Sequence, residues 1–215
     1  MERGHTETPA SSVKERLPSL RPARALVVAG AGTLRTTRML LRPLITSDRA
    51  EFLRVIRSSR EHLDRWSPLH RPGESDEALF ERHIELAASA ERRLTGWRRA
   101  AFLPDGRMAG AFNLIGITRG LQFEGNATWW IAADLVGRGL GVEGVAAMLR
   151  HALADLPIGL GLHRVFAGIR PDNAASIAVA ERCGLRRVNG PRASLQVAGR
   201  WVSHDLYLRE IVPAA

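Results

Sequence analysis

Cysteine, tyrosine and lysine occur once each in these 215 residues, as Cys183, Tyr207 and Lys14. A lone cysteine rules out an intramolecular disulfide and makes a cytoplasmic setting the expectation. The seven histidines show no metal-ligand spacing, so no metal is expected. No apolar run approaches the roughly 18 residues a spanning helix needs, which argues against membrane insertion. The short apolar run from Ala25 to Gly32 starts too far into the chain and is broken by glycine, so it does not read as a signal segment.

With one lysine, arginine carries nearly all the positive charge, the mark of a compositional bias more than of a selected surface. The formal net charge is +9, and residues 1–38 hold +4 of it, seven cations against three glutamates. A basic balance attracts acidic ligands and nucleic acid. No helix-turn-helix, zinc finger or aromatic–basic RNA-binding pattern accompanies it, so no specific nucleic-acid partner is expected. Residues 1–34 are rich in Pro, Ser, Gly and charge without a sustained period, and read as a disordered basic extension. Residues 35–215 suffice for one domain with its own core.

Within that domain, Thr36 to Leu44 reads as a strand stopped by Pro43. Ser47 and Asp48 are placed to cap a helix with Phe52, Val55 and Ile56 as its apolar stripe. A polar segment around Trp66 follows. Ser75, Asp76 and Glu77 start a second helix to about Arg93, with Leu79, Phe80, Ile84, Ala87 and Ala88 on one face. Trp97–Leu103, a Pro104–Gly106 turn and Arg107–Ile117 form a hairpin. Then come a strand from Ala127 to Ala133, a glycine turn, a helix to Leu156 and a strand from Leu162 to Ile169. A short helix ending at Cys183–Gly184 and a closing hairpin complete the chain. The order predicts one α/β domain around a mixed, mostly antiparallel sheet flanked by helices.

Gly139-Leu-Gly-Val-Glu-Gly144 spells the dinucleotide fingerprint G-x-G-x-x-G. Its context weighs against that reading: antiparallel hairpins precede it, and the next strand ends at Arg170 without the acidic residue that holds a ribose. An arginine there could accommodate a 2′-phosphate, which keeps a dinucleotide open at this point. Glycines and a helix N-terminus still make an anion site. A plain strand-to-helix turn, with glycines for close packing, is the alternative at this point. Asn173 is a natural N-cap, and Ser176 lies one turn on, on the same face. Together these residues could flank one ligand. Cys183, among apolar neighbours at a helix end, reads as packing.

Several blocks carry a resemblance: Trp129-Trp130-Ile131, Gly137-Arg-Gly-Leu-Gly141 with Glu143, Leu162-His-Arg-Val165, Arg170-Pro-Asp-Asn-Ala-Ala-Ser176 and Glu181-Arg-Cys-Gly184. Upstream, Leu41-Arg-Pro-Leu44 and Arg60-Glu-His-Leu-Asp-Arg-Trp66 add to it. Over about residues 35–210 the chain resembles the GNAT superfamily of acetyl-CoA-dependent N-acetyltransferases, and within it the RimJ/RimL branch that acetylates protein N-termini. It departs from the family at Val136, where the pyrophosphate loop usually begins with Gln or Arg; Arg138 could supply that charge.

The resemblance implies acetyl-CoA as co-substrate and no metal. It implies a cofactor site at Ile131, Ala132, Ala133, Gly137, Arg138, Gly139, Leu140, Gly141, Val142, Asn173 and Ser176. Ser176 would donate to the departing CoA sulfur, a role many relatives outside the branch give to tyrosine. Glu124, with Asp134 behind it, is the candidate base. Trp66, Asn113 and Trp130 would meet the acceptor, a protein N-terminus (possibly of a ribosomal protein) in an enzyme acting as monomer or homodimer. A small-molecule amine as acceptor, and an acyl-CoA-binding module without turnover, are the competing readings.

Overall fold

The computed structural model describes residues 32–190, 192–197 and 199–211. The expected disordered extension lies, up to residue 31, outside the described residues. Where a single first strand is expected, there are two short ones, β1 (Leu34–Arg35) and β2 (Leu40–Arg42), paired antiparallel. The Thr36 hydroxyl accepts from the Met39 amide at 2.9 Å, giving the backbone a local turn in place of an extended run.

After a 3-10 turn at Thr46–Asp48, helix α1 (Arg49–Ser58) buries Phe52, Val55 and Ile56, as its periodicity predicts. Asp48 does not cap it through its side chain. Its carboxylate takes both guanidinium nitrogens of Arg42, each at 2.7 Å, and the Ile45 amide. Burial alone would raise the Asp48 carboxyl, but Arg42 and the Ile45 amide outweigh it and hold it below its usual range.

The segment around Trp66 is a helix of its own, α2 (Arg60–Trp66), too short for a hydrophobic period to reveal it. Helix α3 (Asp76–Arg92) starts as expected, with Ser75 Oγ accepting from the Ala78 amide at 3.2 Å. The hairpin is β3 (Gly96–Phe102) and β4 (Met108–Thr118). Then follow β5 (Glu124–Ile131), α4 (Leu140–Leu153), β6 (Arg164–Ile169) and α5 (Ala174–Arg182). The chain closes with β7 (Arg186–Arg187), β8 (Ala193–Val197) and β9 (Arg200–Glu210).

The strand order is β1-β2-β3-β4-β5-β6-β9-β7, with β8 on β9. Among the described strands, β5 and β6 form the one parallel pair. The pleat sorts the side chains. Phe112 meets α4 at Gly144 and Trp97 stacks on His151 of α4, 5.5 Å between ring centroids. Arg98, Ala100, Ala111 and Trp130 point the other way, toward Phe52 of α1 and His83 of α3.

Helix α4 ends at Leu153 and not at Leu156. Its buried residues include Leu140, Val145, Met148, Leu149 and Ala152. It is covered on two sides, by the sheet and by α5, where Cys183 Sγ lies 3.4 Å from the Val142 carbonyl. An apolar band that wide blurs a single stripe.

Candidate active site

Strands β5 and β6 pair only at Glu124–Arg164, Gly125–Val165 and Asn126–Phe166, although they run on to Ile131 and Ile169. Beyond that point β5 stays with β4, as far as Ile131 opposite Gly110, and β6 stays with β9, as far as Ile169 opposite Asp205. A gap therefore opens at the ends of the two strands. The close run of β5 along β4 depends on Gly110: a Cβ there would sit 2.1 Å from the Trp130 carbonyl oxygen.

Where the backbone donors go decides what the gap can bind. The Ala132 amide donates to the Ala109 carbonyl at 2.9 Å, and the Ala133 amide donates to Ser59 Oγ at 3.0 Å. Of the three residues Ile131, Ala132 and Ala133 that the resemblance places at the cofactor, the last two thus have their amides engaged within the protein. The Ile131 amide, alternating with that of Ala132 along the antiparallel ladder, faces the side from which β6 has diverged. Ser59 is fully buried between α1 and α2 and fixes the end of β5. Nothing in its local sequence announces that role, because the partner lies 74 residues away.

Gly137 and Gly139, at φ +81° and +77°, shape the turn before α4, and Gly139 is the helix N-cap. The first intrahelical bond from the new turn runs from the Glu143 amide to Gly139. The amides of Leu140, Gly141 and Val142 therefore have no intrahelical acceptor. Open space surrounds the Cα of Gly137, and Val136 points its side chain into solvent. These features fit a pyrophosphate held by backbone N–H groups.

Arg38 buttresses this turn from outside. Its guanidinium donates to Glu143 Oε2 at 2.7 Å and to the Arg138 carbonyl at 2.8 Å, while its own amide donates to Glu143 Oε1 at 2.7 Å. The remaining glycines serve packing. A Cβ at Gly141 would lie 3.3 Å from Val179 of α5, and one at Gly144 would lie 2.0 Å from the Phe112 ring. The fingerprint's last glycine thus lets a helix approach an antiparallel sheet.

Helix α5 begins at the same end of the gap, because it follows β6. Asn173 caps it as expected, its Oδ1 accepting from the Ser176 amide at 3.1 Å. The Ser176 hydroxyl has no protein partner among the described residues and is half-exposed. Trp66, at the end of α2, lies under two cations, Arg65 at 4.7 Å and Arg170 at 5.1 Å from its ring centroid. Arg170 also donates to the Arg65 carbonyl at 3.0 Å, tying α2 to the loop before α5. Arg60 of the same segment is held by Asp76, which His70 also contacts.

The structure does not bring Glu124 to this place. It sits at the paired end of β5, bridged to Arg164 at 3.0 Å, about 23 Å of strand from Ile131. Asp134 is nearer, at the end of β5, and lies 3.7 Å from Arg107. Tyr207 is buried mid-strand in β9 opposite Ala167, beside Glu181 at the far end of α5. Asn113 and Trp130 do come together, lining a partly open cavity of about 20 Å³ on the face covered by α1 and α3. Among the described residues, no group of three His, Cys, Asp or Glu is placed to hold a metal. Among the same residues, no helix is long and apolar enough to cross a membrane.

Residues 38–186 match the family described as Acetyltransferase (GNAT) domain. The Bacillus subtilis (strain 168) protein named "Probable N-acetyltransferase YjcK" is 24% identical over 170 residues, 77% of this chain and 90% of that one. Among solved structures, Mycobacterium smegmatis RimJ in complex with CoA-disulfide aligns with a TM-score of 0.69 and 25% identity, over 83% of this chain and 86% of that one. The ribosomal-protein-S5-alanine acetyltransferase from Vibrio fischeri aligns at 0.71 and 18%, over 83% and 96%. The last of these likenesses speaks to fold.

Proposed function

The chain belongs to the GNAT acetyltransferase family and is an acetyl-CoA-dependent N-acetyltransferase; from that premise we propose that it acetylates protein N-terminal α-amino groups in the cytoplasm. The observation that carries the reading is the gap between β5 and β6, with the Ile131 amide, the N-terminus of α4 and the Ser176 hydroxyl at its open end. The blocks resembling the RimJ/RimL branch, Arg60–Trp66 and Asn173–Ser176, both border that opening.

In this reading acetyl-CoA supplies the thioester, and the chain's own groups position and polarise it. The free amides of Leu140, Gly141 and Val142 hold the pyrophosphate, with Arg138 adding charge. The Ile131 amide donates to the acetyl carbonyl oxygen, where negative charge develops. Ser176 Oγ donates to the leaving sulfur. An α-amino group has a pKa of about 7.7–8.0, so a useful fraction is already neutral at cellular pH and strong base assistance is not required. The distant position of Glu124 supports a water as the first proton acceptor.

The test is turnover of acetyl-CoA with a panel of N-terminal peptides, following thiol release and acetylation of the peptide α-amine by mass spectrometry. Modification confined to lysine side chains, or to small amines such as polyamines, would overturn the N-terminal assignment.

A further inference from the structure

The cavity beside Trp130 holds a cation with no counter-ion. Arg98, in the middle of β3, points to the face covered by α1 and α3, and its side chain has no hydrogen bond or ion pair among the described residues. Other arginines near this face are committed elsewhere: Arg82 to Glu74, Arg42 to Asp48, and Arg57 to Asp76 and Glu77. A part-buried guanidinium left unpaired is costly, so most are matched by an acid from their own chain. Burial, with Arg82 adding to it, lowers the Arg98 pKa, which marks the same deficit.

The groups around it are also short of partners. Trp130 Nε1 is buried without a hydrogen-bond partner among the described residues, and its ring lines the cavity. Among the described residues, the Asn113 side chain makes one bond, from its amide nitrogen to Thr128 Oγ1 at a long 3.4 Å. His83 stacks near Phe52, 5.5 Å between centroids, and burial pushes it down to about 4, so its ring is neutral here. Arg99, bridged to Glu91, and apolar side chains, Phe52, Ala100 and Met108 among them, complete the walls. The site is rich in donors, has a positive charge and lacks any acid of its own. Its volume of about 20 Å³ suits one or two water-sized atoms, enough to seat the oxygens of a carboxylate.

Register sets its distance from the chemistry. Arg98 pairs with Asn113 and Asn113 with Thr128, two strand spacings or about 10 Å across the sheet, and Ile131 lies three residues, again about 10 Å, further along β5. The diagonal of about 14 Å equals about four residues of extended chain. The cavity also lies on the face opposite α4, so a chain entering past it reaches the gap from the side away from the pyrophosphate cradle.

We propose that Arg98, Asn113 and Trp130 form an acceptor subsite for a carboxylate, carried three or four residues from the reacting amine, and that the enzyme selects acidic N-termini. The inference rests on the N-terminal acetylation reading for the origin of the carboxylate, though not for the site itself.

The experiment uses binding, which does not require turnover. The full chain saturated with CoA is titrated by calorimetry with a hexapeptide bearing aspartate at its fourth and fifth positions, and with its asparagine counterpart. The expected result is at least a tenfold lower Kd for the acidic peptide, and Kd values within about twofold of each other in Arg98→Gln. A melting temperature for Arg98→Gln at or above that of the parent certifies the fold. Free aspartate against asparagine, in the same format, separates an amino-acid source from a peptide: a preference there alone, lost in Arg98→Gln, keeps the carboxylate subsite and moves the acceptor to small molecules. No preference in the unsubstituted enzyme, whether both peptides bind or neither does, with none for free aspartate, overturns the proposal. So does a preference that survives in Arg98→Gln. Turnover of the same peptides is scored separately, and its failure counts against the N-terminal reading alone.

Discussion

The Arg38 guanidinium and the Glu143 carboxylate meet at 2.7 Å across 105 residues of chain, joining the turn before the second strand to the first turn of α4. Glu143 is well shielded, and Arg38 about half so. With the further bond from Arg38 to the Arg138 carbonyl, the pair holds the backbone that carries the free amides of the cradle. Burial would raise Glu143, but the contacts from Thr36 and Arg38 keep it ionised below its usual range.

Removing this buttress should cost cofactor affinity more than chemistry. Arg38→Ala is expected to raise KM for acetyl-CoA by roughly three- to tenfold, in line with about 1 kcal/mol for an ion pair of this exposure. The change in kcat should stay under about threefold. Steady-state kinetics with saturating peptide checks it, and a fall in kcat with KM untouched would count against the role.

Ser176→Ala should show the opposite split. Loss of the proton donor to the departing sulfur is expected to lower kcat by about ten- to a hundredfold, while acetyl-CoA binding changes by less than about threefold. Because Asn173 caps α5 through the Ser176 backbone amide, the helix start survives the substitution. Calorimetric binding alongside kinetics makes the comparison.

At Gly144 the issue is space. An added Cβ would overlap the Phe112 ring, so Gly144→Ala is expected to destabilise the fold by about 1–3 kcal/mol despite alanine's better helix propensity. Adding Phe112→Leu should recover part of that loss. Denaturant melts of the single and double variants give the coupling.

Acid should unfold the protein in two stages. Burial pushes His83 down to about 4 from an ordinary 6.5, and the Arg82 guanidinium holds Glu74 at about 2 against 4.5. Both groups bind protons more weakly folded than unfolded, so the stability each contributes is complete above its unfolded pKa. That from His83 is lost as pH falls from about 6.5 to 4, and that from Glu74 from about 4.5 to 2. Thermal melts from pH 7 to 3 should fall steadily. His83→Phe should flatten the upper part of this decline and Glu74→Gln the lower.

Much of the fold was legible because it is local. The Pro104–Gly106 turn marked the hairpin of β3 and β4, three-and-four spacing marked α1 and α3, and capping chemistry marked Ser75 and Asn173. Asp48 misled because an arginine six residues earlier outbids the helix for its carboxylate. Helix α2 escaped because seven residues are too few to show a period.

By itself the sequence determined the composition of the site: positive-φ glycines before a helix, an asparagine cap with a serine one turn on, and the residue blocks that identify the family. Those depend on neighbours a few positions apart, where backbone geometry ties residue type to conformation. Only the tertiary structure decided which of these groups stand together. It opened β5 from β6, spent the Ala132 and Ala133 amides on Ala109 and Ser59, sent Glu124 to the wrong end of its strand and left Arg98 facing a cavity without an acid. Each of those outcomes turns on partners tens of residues distant, whose meeting is fixed by strand register and helix packing and has no local signature in the chain.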